Sequence, residues 1–174
     1  MPVHSRRLVP SSGRRPQRRK LVWATSVVNA VTVATGAKLA AQDLLANLEV
    51  AGSSVLGATV MRTHMDLSVS NATADATIGG FFGFIVNDAP TVTNLDPSSP
   101  AQYGFDWMLW EGINQVSCDN SLVLGSSVQY HKKIDLRAKR KIEELAERYW
   151  FVMINTGTGT MTISATTRTL VALP

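Results

Sequence analysis

The stretch VLGATVMRTHMDLSVS, residues 55–70, restricts the fold more than any other part of the chain. Met61, Thr63, Met65, Leu67 and Val69 take alternate positions, with Arg62, His64, Asp66, Ser68 and Ser70 between them. On a helix this spacing would scatter both sets around the axis. On a strand it gives one apolar and one polar face. Such a strand belongs to an antiparallel sheet with one side dry and the other wet.

Other segments follow the same logic. VWATSVV and AVTVAT (22–28 and 30–35) are rich in the β-branched residues that suit a pleat. ATIGGFFGFIV (76–86) and YWFVMIN (149–155) are nearly all apolar, as expected for buried strands. Gly79, Gly80 and Gly83 mark bends or close backbone approach. SLVLGSSVQYHKKIDLR (121–137) supplies another strand or two, and TGTG at 156–159 reads as a hairpin turn. In 160–174, Met161, Ile163 and Ala165 point inward, followed by Leu170 and Ala172 after a change of phase near Thr166–Thr167. Helical composition predicts short helices or turns over 38–48 and 138–149. FDWMLWEGI (105–113) also reads as a short helix, with Trp107 and Trp110 on one side. The proline-rich stretch 87–104 reads as a long loop, of the kind that serves function or an interface.

Seven or eight strands, few helices and long connections outline an all-β antiparallel sandwich over 21–174. Cys118 is the one cysteine, so an intrachain disulfide and the Cys…Trp…Cys frame of immunoglobulin domains are both excluded. Long loops and a basic N-terminal arm favour a single jelly roll.

That arm is MPVHSRRLVPSSGRRPQRRK. Residues 1–20 hold Arg6, Arg7, Arg14, Arg15, Arg18, Arg19 and Lys20, which is 7 of the 17 basic residues, and none of the 13 acids. Residues 21–174 keep 10 basic and 13 acidic residues, a net of −3, so the formal charge of +4 belongs to the arm. With few apolar side chains, residues 1–20 are expected to form a disordered arm. Paired arginines present forked donors matched to phosphate. No aromatic interleaves them, so contact should be electrostatic, indifferent to sequence and sensitive to salt. HKKIDLRAKRK gives a second candidate patch: Lys132, Lys133, Arg137, Lys139, Arg140 and Lys141. Its bland reading is a solvated face, with Lys139–Glu143 and Arg140–Glu144 as helical i,i+4 partners.

Signatures of catalysis are missing: there is no HExxH, CxxC, GxSxG or GxxxxGK[ST]. His4, His64 and His131 lie far apart in sequence, with His64 on a polar strand face. No catalytic residue, cofactor or metal is expected. No apolar run reaches the length of about 18 residues that a spanning helix needs. Two segments admit a targeting reading, the acid-free start and LVWATSVVNAVTVATG. Pro2, Pro10, Gly13 and Pro16 oppose an amphipathic presequence there.

A basic arm joined directly to one small β-sandwich resembles the single jelly-roll coat proteins of small icosahedral ssDNA and ssRNA viruses, including satellite viruses and circular Rep-encoding ssDNA viruses. The resemblance rests on RRLVPSSGRRPQRRK, VMRTHMDLSVS, the proline-rich loop, and the final strands YWFVMIN and TISATTRTLVAL. It implies a capsid protein of the virion, made in a host cell, whose arms face viral ssDNA or ssRNA. A shell of on the order of 60 copies would gather roughly 420 arm charges, enough to neutralise much of a genome on the order of a kilobase. Trp107 and Trp110 would then be interface anchors or core residues. Two other readings remain: a non-capsid nucleic-acid-binding module of the ribosome- or nucleoid-associated kind, and an exported or organelle-targeted β-sandwich.

Overall fold

The computed structural model describes residues 19–34, 39–52, 54–71, 77–88, 107–117, 128–137 and 139–174. Its strands are β1 (Lys20–Val33), β2 (Leu39–Asp43), β3 (Thr59–Asn71), β4 (Thr77–Asn87), β5 (Trp107–Ser117), β6 (Val128–Leu136), β7 (Arg140–Lys141), β8 (Arg148–Asn155) and β9 (Met161–Leu173), with a short helix α1 (Ala46–Val50). The first sheet runs β1-β9-β3-β6, with β7 also pairing β3, and the second runs β2-β8-β4-β5. All pairings are antiparallel. Apart from the two-residue β7, the long strands divide between two four-stranded paths in which first pairs with last and second with next to last. That is a jelly roll, two Greek keys closed into a double sheet.

The pattern in β3 holds from Arg62 onward. Thr63, Met65, Leu67 and Val69 are buried, and Arg62, His64, Asp66, Ser68 and Ser70 face outward. Met61 departs from it, because a bulge between Val60 and Arg62 gives the core position to Val60. The segments 22–28 and 30–35 form one long strand across 20–33, broken by a bulge between Val28 and Val31, where Ala30 is left-handed (φ 48°). The bulge reverses the phase: Ala24, Ser26 and Val28 are buried before it, Val33 after it.

In β9 the expected phase change near Thr166–Thr167 does not occur, although Ala172 is buried as expected in the run Val171–Leu173. Thr167 and Thr169 continue the inward row from Ala165 to Val171, and Leu170 is half-buried on the other side. The Thr169 hydroxyl has a partner, whereas the buried Thr167 Oγ1 has none among the described residues and its side chain is held there by the strand register. Thr63 Oγ1 lies 2.8 Å from the Tyr149 hydroxyl and 3.5 Å from Thr169 Oγ1. Burial pushes the Tyr149 phenol well above its usual range, so it stays a neutral hydroxyl.

Opposite these threonines, the second sheet supplies aromatics. Phe84 stacks on Tyr149 at 5.9 Å and meets Phe151 at 5.6 Å; Phe82 lies 6.3 Å from Tyr130. Gly80 in β4 has φ 151°, and a Cβ there would sit 1.9 Å from the Ile154 carbonyl oxygen. Only glycine permits β4 and β8 to approach so closely. The TGTG turn is built on the buried Asn155. Its Nδ2 donates to the carbonyls of Val33 (3.0 Å) and Gly159 (2.9 Å), and its Oδ1 accepts from Gly157 N–H at 2.9 Å.

The helical expectations fare differently. Over 38–48 the described residues form β2 and then the first half of a short helix that runs from 46 to 50. Over 138–149 no helix forms among the described residues. Ile142, Leu145, Ala146 and Tyr149 have the i, i+3, i+4, i+7 spacing of a helix face, but Tyr149 is drawn into β8 and its buried partners. Instead Ile142 is fully buried and tied to the main chain of Gly57 and Ala58 at 2.9 Å each, while Leu145 stays 75% exposed. Glu147 caps the loop, accepting the N–H groups of Glu143 (2.7 Å) and Glu144 (3.1 Å). Residues 107–113 are likewise strand, not helix. The loop residues 89–104 and Cys118 lie outside the described residues.

Candidate nucleic-acid interface

Arg6, Arg7, Arg14, Arg15 and Arg18 lie outside the described residues. The end of the basic stretch is described, and it belongs to the sandwich. Arg19 Nη1 donates to Thr59 Oγ1 at 3.1 Å. Lys20 is the first residue of β1 and pairs with Leu173. The arm therefore enters the fold one residue earlier than the Lys20/Leu21 boundary read from composition.

The second basic set is dispersed. Lys132 stands opposite Leu67 and Lys133 opposite Asp66, so the two lysines lie on opposite faces of β6. Arg137 extends beyond β6, 73% exposed, with Nε 3.8 Å from Asp135 Oδ2. Lys139 is exposed before β7, and Arg140 and Lys141 form β7 against β3. Lys141 Nζ reaches Glu143 at 3.8 Å, a contact that replaces the helical pairs with Glu143 and Glu144. Lys133, Arg137 and Lys141 lie toward the outer face of the first sheet, Lys141 in the row of Leu21, Ala172 and Thr59.

That outer face carries the chemistry. Three cross-strand rows can be read from the register: Trp23, Leu170 and Arg62; then Thr25, Arg168, His64 and Asp135; then Val27, Thr166, Asp66 and Lys133. Arg62 grips Asp135 with both arms of its fork, at 2.7 and 2.6 Å. This contact holds the Asp135 carboxyl below the usual carboxylate range and raises the guanidinium further. His64 Nδ1 lies 3.4 Å from the same carboxylate, and His131 Nε2 contacts Asp66 Oδ1. The His64 ring stacks on Trp23 at 5.9 Å, and the Arg168 guanidinium lies 5.3 Å from the Trp23 ring centre. A shallow groove of about 630 Å³ runs beside them, lined by Val27, Asp66, Lys133, Ser164 and Arg168 among others.

Sequence alone places Trp23 in a β-rich run without singling it out. A signal was available: Leu21, Trp23, Thr25 and Val27 alternate on the side of β1 opposite Ala24, Ser26 and Val28. Trp107 and Trp110 stand in β5 opposite Ile85 and Gly83, on the edge strand of the second sheet. Among the described residues no cluster of His, Cys, Asp or Glu is arranged to hold a metal ion, and no helix is long and apolar enough to cross a membrane.

No protein-family model matches the chain, and no curated protein matches it in sequence. Among solved structures, it is similar to a chain of Desmodium yellow mottle tymovirus, with 11% identity and a TM-score of 0.43 over 99% of this chain and 89% of that one. It is also similar to a chain of the empty head of turnip yellow mosaic virus (9%, 0.40, 99% and 89%). A third likeness is to the Gx strain of infectious bursal disease virus (10%, 0.34), covering 97% of this chain and 37% of that one. At these TM-scores the strand order itself, and not the likeness, establishes the jelly roll.

Proposed function

We propose that this chain is a structural capsid protein whose copies assemble into an icosahedral shell and package viral ssDNA or ssRNA through the basic arm. One observation carries the reading: a block of 7 positive charges without an acid leads straight into the first strand of a jelly roll whose own net charge is −3. A single arm is a weak ligand. Many arms held on one surface act together through effective concentration. A shell supplies that surface, and β1, β6, β2 and β5 end the two sheet paths, where further copies can pack. The role is structural, with the chain itself and sequence-independent nucleic acid as partners, located in the virion and in the host cell during assembly.

Electron microscopy of the full-length protein at low and high salt, with the absorbance ratio of the purified particles, tests this directly. Closed shells containing nucleic acid are expected. A variant with Arg6, Arg7, Arg14, Arg15 and Arg18 changed to alanine should still form shells, but empty ones. Strictly monomeric protein at every salt concentration, with no co-purifying nucleic acid, would overturn the reading. Small uniform oligomers that bind nucleic acid would favour a non-capsid module. A native N-terminus beginning after the basic stretch would favour a targeted protein.

A further inference from the structure

We infer that the outer face of the first sheet is a base-stacking site for single-stranded nucleic acid, centred on Trp23 and Arg168, with Lys133 farther along the same face beyond the groove. This inference rests on the packaging reading and adds to it a contact that the arm cannot make, since the arm has no aromatic residue.

Trp23 is 43% exposed on a sheet face, flanked on the same side of β1 by Leu21 (61%) and Val27 (52%). An indole left in water gains most from a partner with its own apolar flat face. Its orientation is already set by the stacked His64 ring and the Arg168 guanidinium, so little freedom remains to be lost on binding. The charge nearby suits a polyanion. Asp135 is held in the Arg62 fork and Asp66 is engaged by His131. Arg168 and Lys133, both exposed, are left to meet phosphates across the groove. The groove volume, about 630 Å³, falls within the range of roughly 300–1,000 Å³ usual for small-molecule sites and can seat a nucleotide.

Continuity adds a second argument. Trp23 lies three residues beyond Lys20, so a strand captured by the arm is held at high local concentration over the indole. A second copy of the chain is the weaker occupant for this face. The centre of a protein–protein interface is depleted of charge, whereas Trp23 has Arg168 and His64 against its ring, Arg62 in its own row, and Asp66 and Lys133 farther out on the same face.

Stacking needs bases and electrostatics does not, which defines the test. Full-length protein is titrated at about 0.5 M salt, where arm contacts are screened, with a labelled thymidine oligomer and with an abasic backbone of equal length. Wild type should bind the thymidine oligomer about tenfold more tightly than the abasic strand. Trp23→Ala should erase that difference without changing the salt slope, and Trp23→Phe should keep most of it. Arg168→Gln should weaken both oligomers. In wild type, indole fluorescence should be quenched by the thymidine oligomer alone, and less so in Trp23→Phe. Base dependence that survives Trp23→Ala overturns the inference while leaving packaging intact. So does loss of shell assembly in Trp23→Ala with oligomer affinity unchanged, which would make the face a contact between copies. If wild type binds neither oligomer at low salt and forms no particles, the packaging reading itself fails.

Discussion

The two sheets share one core but treat their outer faces in opposite ways. The first is wet outside: β9 alternates from Met161 to Thr169, with Thr162, Ser164, Thr166 and Arg168 open to solvent between buried neighbours. The two central strands of the second, β4 and β8, are dry on both sides. From Phe82 to Val86 every residue of β4 is buried, and β8 is buried from Phe151 to Asn155. Ile85, Val152 and Ile154 form a separate apolar cluster, with Trp150 packed against it, away from the main core of Phe82, Phe84 and Phe151. The contrast shows where the molecule tolerates change. A site that must meet changing partners can be built on the first sheet without cost to the core, whereas the described parts of β4 and β8 leave no spare face.

The sharpest way to break this comparison is to charge both faces. Val152→Asp places an unpaired carboxylate in the dry cluster and should cost at least about 4 kcal/mol, enough to prevent folding. Thr166→Asp on the wet face should shift stability by no more than about 0.5 kcal/mol in urea unfolding. Equal effects would refute the wet-and-dry distinction. Next in size is Phe84→Ala, expected to cost about 3–5 kcal/mol because it opens a cavity between Tyr149 and Phe151. Gly80→Ala should be comparably damaging through backbone clash with Ile154, and loss of amide protection along β4 and β8 would locate it there. Tyr149→Phe removes only the hydroxyl from the buried threonine group and should cost roughly 1–2 kcal/mol.

The smallest expected effect concerns pH. Asp135 titrates below its unfolded value in the folded protein, because Arg62 grips it. Its contribution is therefore present above the unfolded carboxylate pKa and is lost as pH falls through the lower folded value. Arg62→Gln should flatten the acid limb of the stability curve slightly and leave neutral stability almost unchanged. A loss at neutral pH as large as that of Tyr149→Phe would mean that the outer face of the first sheet supports the core after all.

The same contrast explains which parts of the fold were legible in advance. β3 and β9 border water on one side, so burial imprints a period of two on their residues. The Asn155 turn was readable because TGTG between strands leaves few alternatives. Residues 105–113 and 138–149 were not readable. The first spaces two tryptophans as one side of a helix would and the second has helical composition, but such local preference is worth only tenths of a kcal/mol per residue and yields to tertiary pairing. β5 pairs with β4 along most of its length, and Ile142 anchors its loop to Gly57 and Ala58. The site was half legible. The arm's charge is a property of composition. The Trp23 platform needs three strands that are distant in the chain, β1, β9 and β3, brought into register.

By itself the sequence determined that the chain would be a β-sandwich and that its positive charge would be gathered at one end. Alternation and charge are local properties that survive without a structure. Tertiary structure alone decided the order of the strands, the bulges that give Val60 the core and put Met61 aside, the burial of Thr167 and Thr169, and the exposure of Trp23. Each of these depends on which backbone lies opposite which, and a jelly roll sets that by pairing its first strand with its last.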